Sequence, residues 1–120
     1  MPSKYGNRRT WSGLCQRFFA SKAECTRGET LHLLQIAGEI KGLEYQPRYK
    51  LCDKPRITYV ADFFYTDDHG LPVVEDVKGM LTGQARVKIA WAEFQYGMKV
   101  RLVTATGEDW HKYRRNNENY

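Results

Sequence analysis

Apolar residues recur at helical spacing in two stretches of this chain and alternate with polar ones between them. The first helical stretch opens at Ser21-Lys22-Ala23-Glu24, an S-x-x-E box in which Ser21 caps the helix and Glu24 reaches back to the Ser21 amide. Leu33, Ile36, Ala37 and Ile40 continue it with i, i+3, i+4, i+7 spacing, Leu34 widens the stripe, and Gly38 supplies a stop. Gly28, inside the pattern, costs about 1 kcal/mol relative to Ala and weakens the case for an unbroken helix. From Leu43 to Leu51 apolar positions alternate as in a half-buried strand, with Pro47 marking an edge or a bulge. Asp53-Lys54-Pro55 turns the chain into a second strand, Tyr59–Tyr65, with Asp62 in its middle. Thr66-Asp67-Asp68-His69-Gly70 reads as a hairpin loop leading to a third strand, Val73–Gly79. Thr82 caps the second helix, which runs to about Tyr96 with Val87, Ala90, Trp91, Phe94 and Met98 as its apolar stripe, and Gly97 ends it. Lys99–Val103 alternates as a fourth strand, and the intervening helix predicts a crossover that sets this strand parallel to an earlier one.

The order helix, three strands, helix, strand predicts an α/β fold: a mixed sheet flanked by helices. Residues 19–106 carry that pattern. Residues 1–18 read as a basic N-terminal arm and 107–120 as a polar, mobile C-terminal tail without a usable period. At 120 residues the chain is long enough for one domain and too short for two. Composition excludes little else, since 42% hydrophobic and 28% charged residues are ordinary for a globular protein. The net charge of +5 points to a polyanionic partner. No apolar run approaches the roughly 18 to 20 residues that cross a bilayer, and no apolar h-region opens the chain, so a soluble intracellular protein is expected. Cys15, Cys25 and Cys52 are odd in number and lack C-x-x-C spacing, as free thiols in a reducing cytosol would be.

The chemistry sits on the second and third strands. Alternation puts Asp76 and Lys78 on one face of their strand and Glu75 and Val77 on the other. Mid-strand charges are costly to bury unless something pairs with them, and a divalent metal held by Asp62 and Asp76 beside Lys78 supplies a reason. Mg²⁺ or Mn²⁺ prefers such hard oxygen ligands, and the Val77 carbonyl is a further donor. Lys78 is placed to orient or deprotonate a water, or to offset charge on a phosphate. Glu24, opening a helix that must pack on this sheet, is the best third carboxylate; as a cap, a ligand or both, its role stays open. Glu75 is expected on the surface opposite the site. Lys4, Arg8, Arg9 and Arg17, interleaved with aromatics in the arm, suit phosphate contacts and base stacking as well as they suit a solvated terminus; Lys22, Arg86 and Lys88 flank the site in sequence as further phosphate contacts or as plain exposed charges.

Asp62 and Asp76-Val77-Lys78, in this order of elements, resemble the motif of the PD-(D/E)xK nuclease superfamily, with Glu24 at the place of its first-helix acid. More narrowly, Ser21–Glu24, Leu34–Ile40, Leu43–Pro47, Tyr59–Phe63 and Val74–Gly79 look like small phage and prophage proteins predicted to be nucleases similar to Holliday junction resolvases. That resemblance spans roughly residues 4 to 104. It departs at Ala61, where the superfamily often has Pro, and at Gly28 within the first helix. It implies an α-β-β-β-α-β core of the restriction-endonuclease type and a Mg²⁺- or Mn²⁺-dependent endonuclease acting on branched DNA. It further implies a homodimer in the cytoplasm of a bacterial host. A nicking or single-strand endonuclease of the same fold, and a non-catalytic nucleic-acid-binding module, are the alternatives.

Overall fold

The computed structural model describes residues 8–118. The chain begins with a short hairpin of β1 (Thr10–Ser12) and β2 (Arg17–Phe19), followed by α1 (Lys22–Ile36). Next come β3 (Lys41–Tyr45), β4 (Arg48–Cys52), β5 (Ile57–Val60), β6 (Phe63–Thr66) and β7 (Pro72–Val77). Helix α2 (Gly83–Tyr96), β8 (Val100–Val103) and α3 (Trp110–Glu118) complete it. The central sheet has the order β3-β6-β7-β8, antiparallel except for the parallel β7–β8 pair that the crossover through α2 demands. The fold is thus mixed α/β, a four-stranded mixed sheet flanked by helices.

The two strands expected over 43–51 and 59–65 are each broken in the middle. Gln46 adopts φ of 54° and Pro47 follows it, so β3 and β4 form separate ladders with β6 and β5. Across the break only two backbone bonds remain, Gln46 N–H to the Asp62 carbonyl at 2.9 Å and Ala61 N–H to the Pro47 carbonyl at 3.1 Å. Asp62 therefore lies at the interruption rather than within a strand. Its own amide donates to the Glu75 carbonyl at 3.1 Å, which ties the break to β7. The loop after β6 is a turn as expected, with the Asp67 carboxylate accepting from the His69 and Leu71 amides.

One core lies on the α1 side of the sheet, built from Phe19, Cys25, Leu31, Ile40, Phe63 and Tyr65. The other joins Tyr59, Ala61, Val74 and Leu102 to Ile89 and Ala92 of α2 and Trp110 of α3. Both helices bury a stripe that only partly matches the one their large apolar residues predict, with Leu34 and Met98 packed on the cores but the centre of each buried face elsewhere. In α1 the buried face includes Cys25, Gly28 and Leu31, while Leu33 and Ile36 are exposed. In α2 it is Ile89 and Ala92, leaving Val87, Trp91 and Phe94 in solvent. Small residues allow close approach to the sheet, and that outweighs the larger apolar area of the alternative stripe. At Gly28 an added Cβ would fall 2.6 Å from Phe19 Cζ, so the glycine makes room for an aromatic ring without breaking the helix.

Helix ends follow the expected caps. Ser21 Oγ accepts from the Glu24 amide and Thr82 Oγ1 from the Ala85 amide, both at 3.1 Å, and Gly97 closes α2 in the left-handed conformation. The two chain ends carry structure where an arm and a mobile tail are predicted. The β1–β2 hairpin is tied to α1 by Ser12 Oγ donating to Glu29 Oε2 at 2.7 Å, and α3 is anchored by Trp110, only 3% exposed. Among the described residues no helix is long and apolar enough to cross a membrane.

Candidate active site

The break in the ladder at Asp62 and the end of β7 bring the expected residues into one place. Asp62 Oδ2 accepts from the Val77 amide at 2.7 Å, fixing the carboxylate against β7. Asp62 and Asp76 are close enough for Asp76 to raise the Asp62 pKa. Asp76 is buried; its Oδ2 accepts from the Tyr59 hydroxyl at 2.7 Å and lies 3.3 Å from Lys78 Nζ. Asp76 and Lys78 do share a face, as alternation requires. Glu24, one turn into α1, is close enough for its charge to act on both aspartates.

These carboxyl groups are short of positive charge. Burial, then the neighbouring Asp76 carboxyl, then the charge of Glu24, push the Asp62 pKa up to about 9, against which the Val77 amide works only in part. Glu24 is raised too, by burial first and by Asp76 second, with the Ala20 amide and Lys78 opposing. The backbone amide that favours the Glu24 carboxylate is that of Ala20, where the Ser21 amide is predicted. Burial, followed by the neighbouring Asp76, holds the Tyr59 phenol firmly protonated, so it acts as a donor.

The donor set, carboxylate oxygens, is of the type that suits a hard divalent cation. The cage is not drawn tight. Among the described residues no group of three His, Cys, Asp or Glu side chains is arranged to hold a metal ion. Two of the carboxylate oxygens are instead committed to Val77 N–H, Tyr59 and Lys78. The fit is therefore a matter of charge and ligand type, with Asp62 and Asp76 as the core pair.

Glu75, expected at the surface, is fully buried on the opposite face of β7. Arg27 grips it with Nε to Oε1 at 2.7 Å and Nη2 to Oε2 at 2.9 Å, the Tyr65 hydroxyl donates to Oε2, and Arg101 Nη1 stands 3.9 Å away. Burial alone would lower the Arg27 pKa, but the bonds and charge of Glu75 more than reverse that. Neither Arg27 nor Tyr59 is evident as a site residue from sequence. Tyr59 gave one signal, lying on the strand that leads into Asp62, whereas Arg27 is 48 positions from its partner.

The predicted phosphate-contacting cations do not form one cluster. Lys4 lies outside the described residues. Arg9 and Arg17 cover the rings of Phe18 and Tyr45 at 4.0 and 3.9 Å, and Arg8 and Lys22 are exposed. Arg86 and Lys88 lie on different flanks of α2, the first exposed and the second half-buried. All three cysteines are free, as their number suggests.

A family model described as "Protein of unknown function (DUF1064)" matches residues 3–108. No curated protein and no solved structure gives a match.

Proposed function

Since the chain belongs to the DUF1064 family, whose description assigns no activity, we propose its function from the chemistry of the site: a metal-dependent DNA endonuclease that hydrolyses phosphodiester bonds, acting on branched DNA. The observation that carries this reading is the close Asp62–Asp76 pair, Asp76 buried and Asp62 half-buried, with the Asp62 pKa raised by Asp76 and Glu24, set beside Lys78 where the β-ladder breaks. A structural role gives no reason to crowd three mutually repelling carboxyl groups, one buried and two half-buried, whereas perturbed acids around a cation collect where chemistry is done. Asp62 and Asp76, with Glu24 and the Val77 carbonyl, would hold Mg²⁺ or Mn²⁺. When bound, such an ion supplies an acidified water and charge stabilisation at the phosphate.

The chain's own groups have distinct tasks. Tyr59 fixes the rotamer of Asp76 by donating to Oδ2, and the Val77 amide does the same for Asp62. Lys78, held by Asp76, orients the attacking water and offsets charge on the phosphoryl oxygens. In the hydrolysis itself the water oxygen bonds to phosphorus, the bond from phosphorus to the leaving sugar oxygen breaks, and that oxygen takes a proton.

Preference for branched DNA, a phage or prophage origin and action in a bacterial cytoplasm rest on the resemblance of the motif run to resolvase-like nucleases. A two-fold dimer fits a four-way junction, and the outward face of α2, where Phe94 is 92% exposed beside Val87 and Trp91, supports self-association. The test is cleavage of a synthetic four-way junction, a flap, a duplex and a single strand, each with Mg²⁺, Ca²⁺ or chelator. The reading expects Mg²⁺-dependent cutting, strongest on the junction. Preference for single strands or simple nicking of duplex would keep the nuclease and discard the junction, and salt-sensitive binding with no cutting in any metal would leave only a binding module.

A further inference from the structure

A cleft of about 670 Å³ lies away from the carboxylates. It runs between α2, β8 and α3, and Arg86, Lys99, Arg101, His111, Arg114 and Arg115 line it against two acids, Glu93 and Asp109. Both acids are already engaged. Glu93 Oε2 accepts from the Val100 amide at 2.8 Å with Lys99 Nζ at 3.8 Å, and Asp109 Oδ1 caps α3 by accepting from the Lys112 amide at 2.9 Å. Arg101 sends its guanidinium to Glu75 on the other face of the sheet and adds no charge to the cleft, and Arg114 lies 5.2 Å from the Trp110 ring centre. Neither Arg86 nor Arg115 forms an ion pair among the described residues. The cleft thus gathers cations in excess of its acids, which creates a site for a polyanion.

A second hollow, about 270 Å³, shares Trp110 and Arg114 with the first and extends to Gly79 and Met80, the residues that follow Lys78. The two hollows, neighbours through the shared wall of Trp110 and Arg114, define a track along α3 with the cations of α2 and β8 in the larger and Gly79 and Met80 in the smaller. Helix α3 walls both hollows and lies beyond the stretch that the family model matches.

We propose that this track is a groove for a nucleic-acid strand, with Arg86, Lys99 and Arg115 holding its phosphodiester backbone and leading it toward Asp76 and Lys78. The inference rests on the nuclease reading for its direction, but not for the groove itself. A nucleic acid fits better than an acidic peptide because guanidinium forks match phosphate oxygens and because the smaller hollow is lined by Gly79 and Met80, the residues that follow Lys78.

The test is fluorescence anisotropy of the full chain with a fluorescein-labelled four-way junction in chelator, titrated over a range of salt. The Arg86→Gln/Arg115→Gln variant should bind roughly ten-fold or more weakly and lose about two from the slope of log K against log salt. Arg86→Lys/Arg115→Lys, which keeps the charges, should recover most of that slope, and Lys41→Gln/Arg48→Gln, far from the cleft in sequence, should match the wild type. Thermal melting checks that each variant is folded. Equal losses in the control pair, no rescue by lysine, or unchanged binding in the glutamine pair would each overturn the groove, as would a wild type with no salt-dependent binding. Because no metal is present, the groove stands if cleavage is never found. Conversely, unchanged binding in the glutamine pair alongside Mg²⁺-dependent cutting would remove the groove and keep the nuclease.

Discussion

Glu75 and Asp76 are neighbours on one strand, both buried, and they have opposite surroundings. Glu75 faces α1, where a bidentate Arg27, the Tyr65 hydroxyl and a nearby Arg101 satisfy it. Asp76 faces Asp62 and Glu24, with one lysine and one phenol for three carboxyl groups. The first site is complete in the folded chain, and the second has an unmet demand for positive charge. That difference separates a carboxylate that holds the fold together from one on which the proposed function rests.

The most disruptive way to break the comparison is on the satisfied side. Arg27→Met leaves Glu75 buried without its cation and should cost about 3–5 kcal/mol in urea unfolding, enough to threaten the fold. Adding Glu75→Gln should return much of that loss, because the uncompensated charge is gone. If Arg27→Met is tolerated as well as a surface change, Glu75 is not the structural partner described.

Gly28→Ala acts on both sides at once, since α1 carries Arg27 to one carboxylate and Glu24 to the others. The new methyl meets Phe19, and the expected loss is about 1–3 kcal/mol by overpacking. Unfolding curves with an unchanged m-value but a lower midpoint would show it.

The smallest effect is the most diagnostic of the unsatisfied side. With its folded pKa near 9 and an ordinary unfolded value of 3.8, Asp62 binds a proton in the folded state that the unfolded chain has released. Stability of the metal-free protein should therefore fall as pH rises between those values. Asp62→Asn should flatten that slope and, at pH 8, raise Tm by on the order of 5 °C, the size that about 1 kcal/mol gives in a small domain. A variant that melts lower than wild type at pH 8 would mean that the carboxyl is not under strain.

How much of this the sequence discloses depends on the range of the interactions involved. Caps are local, so Ser21, Thr82 and Gly97 mark helix ends in the sequence itself. Strand alternation is local too, and it aligns Asp76 with Lys78. The Glu75–Arg27 pair spans 48 residues and leaves no periodic trace, so beside a D-x-K motif Glu75 looks like surface. The ladder break that releases Asp62 is set on the neighbouring strand, by Gln46 and Pro47. Both helices contain two possible buried stripes. The larger apolar residues, Leu33 and Ile36 or Val87 and Phe94, draw the eye, but shape selects Gly28 and Ala92 against the sheet. In the last segment, the single buried Trp110 organises a helix that charge-rich composition conceals.

The central claim is that the acidic pair is a metal-dependent cleavage centre, and parallel junction-cleavage assays of the wild type, Asp76→Asn and Lys78→Ala in Mg²⁺ test it most directly. The account predicts cutting by the wild type that chelator abolishes, and losses of about 10³-fold or more in both variants, equivalent to roughly 4 kcal/mol of barrier, with folding and junction binding retained. Mg²⁺-supported cutting that survives in either variant would contradict it.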